Sequence, residues 1–204
     1  MLCTGTAADA RRTAERVRRL GAEYLDAGVQ ASPEMIGTSA ATLLYGGSAE
    51  AFRRHRPVLE LLSTASFVGT APEAAAVCDL ALFGLWYDAQ LGLLRALETV
   101  AGAGIDVSAF AATATTRLGH VVGSVHDTAS EVLERSYPAG PASLAEHLPL
   151  LHQLIDLRAG SAIGDGGLAS VLENVAALVA DGRGGEGLTA AVGVAAGRPV
   201  TPPG

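Results

Sequence analysis

The longest unbroken apolar pattern in the chain runs from Ala74 to Gln90. The residues there are almost all good helix formers, and none is proline. Length and helix formers together predict one long helix over 73–103 rather than a strand. About 28 helical residues extend roughly 40 Å, enough for the spine of a domain. Asp79, Asp88, Arg95 and Glu98 interrupt the pattern with charge and argue against a membrane span. Before this spine, Thr6 is expected to cap a helix over Ala7–Leu20 that Gly21 closes. Strands are predicted at Glu23–Ala27, Thr42–Tyr45 and Ala65–Thr70. A helix over Ala49–Leu62 stands between the second and third, and Pro72 sits near the first turn of the spine.

From residue 73 onward every periodic stretch reads as helix. Val107 to Ser136 is softened at Gly119 and Gly123, and Tyr137-Pro138-Ala139-Gly140-Pro141 is a clear break. Ser143–Ala159 carries an apolar stripe of Leu144, Leu148, Leu151 and Leu154/Ile155, with Pro149 as a local kink. A loop over Gly160–Gly167, a helix over Leu168–Asp181 and a last helix over Leu188–Ala196 complete the pattern. The tail 199–204 reads as disordered. The fold class is mainly α: a C-terminal helical bundle around one long helix, with a small α/β sheet at the N-terminus.

Asp79 departs from the pattern of the spine. Val77, Cys78, Leu80, Ala81 and Leu82 surround it, and a carboxylate among them is costly to bury unless it is paired, protonated or used. Asp79, Phe83 and Tyr87 stand at i, i+4 and i+8, with Trp86 at i+7, on one ridge of the helix. A carboxylate, a phenol and two aromatic walls make a candidate acid–base pocket. The same residues also suit a core carboxylate paired with a downstream arginine or histidine, with Tyr87 and Trp86 as ordinary core.

Composition narrows the field. The 204 residues are 49% hydrophobic, enough for a good-sized core, and the net charge of −7 disfavours a nucleic-acid role. All 14 basic residues are arginine, so no lysine is present for Schiff-base chemistry. Cys3 and Cys78 make no disulfide framework, and no signal peptide is visible, which makes a cytoplasmic protein the default. Arg11, Arg12, Arg16, Arg18 and Arg19 read as a solvated helix face rather than a phosphate site. Two strings, Gly182-Arg183-Gly184-Gly185-Glu186-Gly187 and Gly164-Asp165-Gly166-Gly167, resemble a dinucleotide fingerprint. Each follows a helix rather than a strand, so they read as helix–helix turns. The histidine spacings, His120 to His126 and His147 to His152, do not match a helical metal pair, and no metal site is expected.

The segment Asp79-Leu80-Ala81-Leu82 with Tyr87 resembles the inter-domain helix of the imine reductase and reductive aminase family, within the 6-phosphogluconate and 3-hydroxyisobutyrate dehydrogenase-like superfamily. Further matches run in the same order: Thr4-Gly5-Thr6, Pro33-Glu34-Met35-Ile36-Gly37-Thr38, Leu43-Leu44-Tyr45-Gly46-Gly47, His55-Arg56-Pro57, Tyr137-Pro138, His147-Leu148 and Gly182-Arg183-Gly184. The resemblance implies that 1–72 is a remnant of a dinucleotide-binding domain and 73–198 a helical dimerisation and substrate domain. It implies Asp79 and Tyr87 as catalytic residues, with Phe83, Trp86 and Met35 as an apolar wall. His152 or Gln153 would reach the substrate, often from a partner subunit. Thr4 and Thr6 would lie where the nicotinamide approaches. The departure is the absence of the glycine-rich phosphate loop that opens the family's first domain.

Three expectations follow from that departure. The first is an imine-reductase-like enzyme with no cofactor of its own, doing non-redox acid–base chemistry (cyclisation, isomerisation, imine condensation or hydrolysis) on a small amine- or carbonyl-bearing substrate. The alternative is an NADPH-dependent imine reductase or reductive aminase, truncated or completed by a separate dinucleotide-domain chain. A second alternative is a non-catalytic dimerisation or binding module. A homodimer, domain-swapped as in the family, is expected, with no nucleic-acid or membrane partner.

Overall fold

The computed structural model describes residues 5–192, and the expectations for Cys3, Thr4, the end of the last helix and the tail lie outside them. The chain divides into two compact units between Tyr87 and Asp88. The first contains helix α1 (Ala7–Arg19), strands β1 (Leu25–Gln30), β2 (Thr42–Gly47) and β3 (Thr64–Gly69), helix α2 (Ala49–Leu59) and the start of helix α3 (Ala74–Gly102). The second contains the rest of α3, then α4 (Val107–Gly123), α5 (Val125–Glu134), α6 (Leu144–Arg158) and α7 (Leu168–Leu178).

The start of α1 follows from its sequence. The Thr6 hydroxyl accepts the Asp9 N–H, and the Asp9 carboxylate accepts the Thr6 N–H, a reciprocal cap. Arg16, Arg18 and Arg19 fall in the last turn, where cations suit the helix dipole. In the sheet, β1 runs antiparallel to β2, and β2 runs parallel to β3. The first strand lies further along than the sequence pattern predicts, at Leu25–Gln30 rather than Glu23–Ala27. Gly28, low in strand propensity, hides its second half from a propensity reading.

That shift sets the two faces of the sheet. Ala27 of β1 and Leu43 and Tyr45 of β2 pack with Phe52 of α2 to form the core of the first unit. Phe52 is ringed by Tyr45 and Phe67, at centroid distances of 5.6 and 5.1 Å. Asp26, Gly28 and Gln30 alternate with these core residues and so point to the other face. There the small Ala75 and Ala76 at the start of α3 are fully or almost fully buried, and a Cβ on Gly46 would fall 2.6 Å from the Ala75 nitrogen.

In the second unit the predicted stripe on α6 holds. Leu144 and Leu151 are buried against Val175 of α7 and Ala190, with Leu148 packed on them. The Ser143–Glu146 capping box starts α6, and Asp106 caps α4 through the N–H groups of Ser108 and Ala109. The helix after Asp106 passes straight through Gly119 and breaks only at Ser124, so Gly119 is not the soft point expected of it. The expected last helix is a short turn over Leu188–Ala191 within the described residues. Both glycine strings are turns between helices. Gly187 is required by close approach, since a Cβ there would lie 2.2 Å from the Pro138 carbonyl oxygen.

Candidate functional site

The start of α3 lies close against β1 because glycine and alanine line the contact, and Asp79 goes down with it. Asp79 is 1% exposed. A Cβ on Gly28 would fall 2.6 Å from the Asp79 Cβ and 2.9 Å from Oδ1, so the carboxylate fits only because Gly28 has no side chain. Gln30, two residues on and on the same face, donates from Nε2 to Asp79 Oδ1 at 2.6 Å. Oδ2 of the same carboxylate is buried with no hydrogen-bond partner. A buried carboxylate oxygen left unpaired costs free energy, which is the condition of a group kept for a ligand.

The other residues of the predicted ridge do not gather around this carboxylate. Phe83 is 37% exposed, and Trp86 and Tyr87 are each 56% exposed. Residues eight apart on a helix are separated by about 12 Å along its axis. Trp86 and Tyr87 meet each other edge to face, with centroids 5.0 Å apart. The first two turns of α3 rest on the sheet while these later turns do not, so the ridge splits into a buried carboxylate and an exposed aromatic pair. Met35 ends the short turn Pro33–Met35 and is half-buried. His152 and Gln153 are exposed on α6, in the second unit. Gly28 and Gln30 were missed by the sequence reading. Their i, i+2 spacing puts them on one face only when the strand, predicted to end at Ala27, is carried on to Gln30, and it does not indicate what packs on that face.

A dinucleotide's phosphates are cradled by a strand-to-helix turn with free N–H groups. The turn Gly46-Gly47-Ser48 has that form, but its groups serve the chain itself. Gly47 lies against the Tyr24 carbonyl, and a Cβ there would fall 2.5 Å from it. The Ser48 hydroxyl donates to Glu23 and accepts the Ala51 N–H. Thr6, expected near the nicotinamide, is committed to Asp9 as the cap of α1. Among the described residues no group of three or more His, Cys, Asp or Glu is placed to hold a metal ion. In the second unit, a cleft of about 530 Å³ has apolar walls that include Leu93, Phe110 and Leu118, and a rim of Asp88, Arg117 and Arg158.

Residues 71–197 match the NADPH-dependent reductive aminase-like C-terminal domain, and 2–70 match the NAD binding domain of 6-phosphogluconate dehydrogenase. The chain belongs to the reductive aminase and imine reductase family. It is 29% identical over 196 residues to an NADPH-dependent reductive aminase of Aspergillus oryzae, covering 94% of this chain and 66% of that enzyme. An imine reductase from Myxococcus stipitatus, solved with NADP+, superposes with a TM-score of 0.81 at 29% identity, over 93% of this chain and 67% of that one. A reductive aminase from Aspergillus terreus, solved with NADPH and ethyl-5-oxohexanoate, gives 0.80 at 27% identity, over 94% and 68%. The chain thus spans about two thirds of the length of these relatives. They overturn the expectation of non-redox chemistry: the A. oryzae relative is an NADPH-dependent reductive aminase, and the solved relatives hold NADP+ or NADPH.

Proposed function

We propose that this chain carries the substrate-handling part of an NADPH-dependent imine reductase or reductive aminase, which reduces a carbon–nitrogen double bond made from a small carbonyl compound and an amine. The unpaired, buried Oδ2 of Asp79 is the observation that carries this reading. The hydride of such a reduction comes from NADPH, held by a dinucleotide-binding segment joined upstream or supplied by another chain. Asp79 holds the nitrogen of the iminium or amine at Oδ2 and exchanges its proton. The separation along α3 gives Tyr87 the task of orienting the far end of the substrate rather than sharing that proton. Phe83, Trp86 and Met35 supply apolar wall. A second copy of the chain would cover the exposed side of α3 and bring His152 or Gln153 over the substrate. A cytoplasmic enzyme fits this reading.

The test is NADPH oxidation at 340 nm with cyclohexanone and allyl amine, the pair found with NADPH4 in an A. terreus reductive aminase structure. It is run on the 204-residue chain and on a fusion that adds the N-terminal third of the A. oryzae relative. Oxidation that requires both ketone and amine, in either form, is the expected result. Its absence from both forms rejects the reading.

A further inference from the structure

We infer that Gly28 and Gln30 of β1 form a socket that sets the Asp79 carboxylate, and that Gln30 is a positioning residue for the reaction. This rests on the reductase reading above and names what makes its carboxylate usable. Gly28 supplies the space, because any side chain there would occupy the volume of Asp79 Cβ, Cγ and Oδ1. The strand conformation at Gly28 is ordinary, so close approach alone explains the glycine. Gln30 supplies the direction. Its amide nitrogen is the only end of the side chain that can face a carboxylate, and at 2.6 Å from Oδ1 it fixes the rotation of the group. With Oδ1 occupied, Oδ2 is the oxygen left for the cationic nitrogen of a substrate. A carboxylate free to rotate would offer either oxygen and lose the fixed geometry that catalysis by orientation needs.

The consequences separate orientation from burial. Gln30→Met keeps length and bulk but removes the donor. It should lower kcat at least tenfold while KM for the ketone stays within about twofold, with Gly28→Ala giving a loss of similar size. The contact itself is tested by exchanging its partners. Gln30→Glu alone sets two carboxylates against each other and should lower the melting temperature at pH 8. Gln30→Glu combined with Asp79→Asn restores donor and acceptor in reversed order and should recover most of the loss, although the double variant stays inactive. Wild-type kcat in Gln30→Met would overturn the positioning role. If the wild-type protein does not turn over, the reductase reading fails and the melts alone decide the socket. Recovery in the double variant then keeps it, and no recovery overturns it.

Discussion

At the scale of single residues, Asp79 and Tyr87 carry unequal weight. One is buried with an unpaired oxygen, and the other is an exposed phenol two turns along. A proton-transferring side chain is worth about 10²- to 10⁴-fold, so Asp79→Ala should lower kcat at least a hundredfold with the circular dichroism spectrum unchanged. Tyr87→Phe, which removes only the hydroxyl proposed to orient the substrate, should cost about fivefold, mostly in KM, since a lost hydrogen bond is worth about 1 kcal/mol. Asp79 stood out in the sequence because a carboxylate inside an apolar stretch of helix is costly to bury, although the pattern alone left a paired core carboxylate open. Its partner did not: nothing in Gly28 or Gln30 betrays, along one strand, that a helix starting 44 residues later will press a carboxylate into them.

At the scale of elements, local signals decided the outcome where the capping chemistry was strong. Thr6 with Asp9 and Ser143 with Glu146 mark helix starts that the sequence places to within a residue. The start of α7 also falls where the sequence pattern places it, at Leu168. Asp165 lies in a glycine-rich loop and accepts the Ala169 and Gly167 N–H groups, and these bonds, that of Ala169 first, hold its carboxyl below the usual aspartate value. A depressed value in the folded state means that the ionised carboxylate stabilises the fold. That contribution is fully present above the unfolded value, near pH 4, and is lost as pH falls through the folded one. Asp165→Asn should therefore melt below wild type at pH 7, with the gap closing as the pH is lowered below about 4 in a series of thermal melts. The α4–α5 break falls beside Gly123, one of the two soft points expected, while the β1 register and the continuity of α4 through Gly119 escaped the sequence because both turn on glycine. Packing at Gly28 and helix continuity at Gly119 override the residue's local preference.

For the whole molecule, the leading feature is the apolar surface of α3. Leu80, Leu82, Leu85 and Trp86 are all exposed, and the helix has the length and hydropathy that a membrane span would need. Asp79 and Asp88 sit among these residues, and the first is already engaged by Gln30, which favours cover by protein over cover by lipid. We expect two copies to bury this face. Light scattering at micromolar concentration should then give about twice the monomer mass of 20.6 kDa. A monomer that stays dispersed would count against it. Across the described residues the mainly helical fold class was readable because the periodicity that built it is long and repeated. The division between Tyr87 and Asp88 falls inside one uninterrupted helix. That helix also reaches the α6–α7 loop. Buried Arg95 donates to the carbonyls of Ile163 and Gly164, while Glu98 takes the Ser161 hydroxyl. Arginine ties that end on main-chain oxygens are indifferent to the side chains of the loop they hold. Drift at Ile163 should leave the tie intact, whereas a single change at Arg95 releases the Ile163 and Gly164 carbonyls together and leaves the loop held by Glu98 at Ser161 and by Arg158 at the Asp165 carbonyl. The sequence can wander there only so long as the path of its backbone does not.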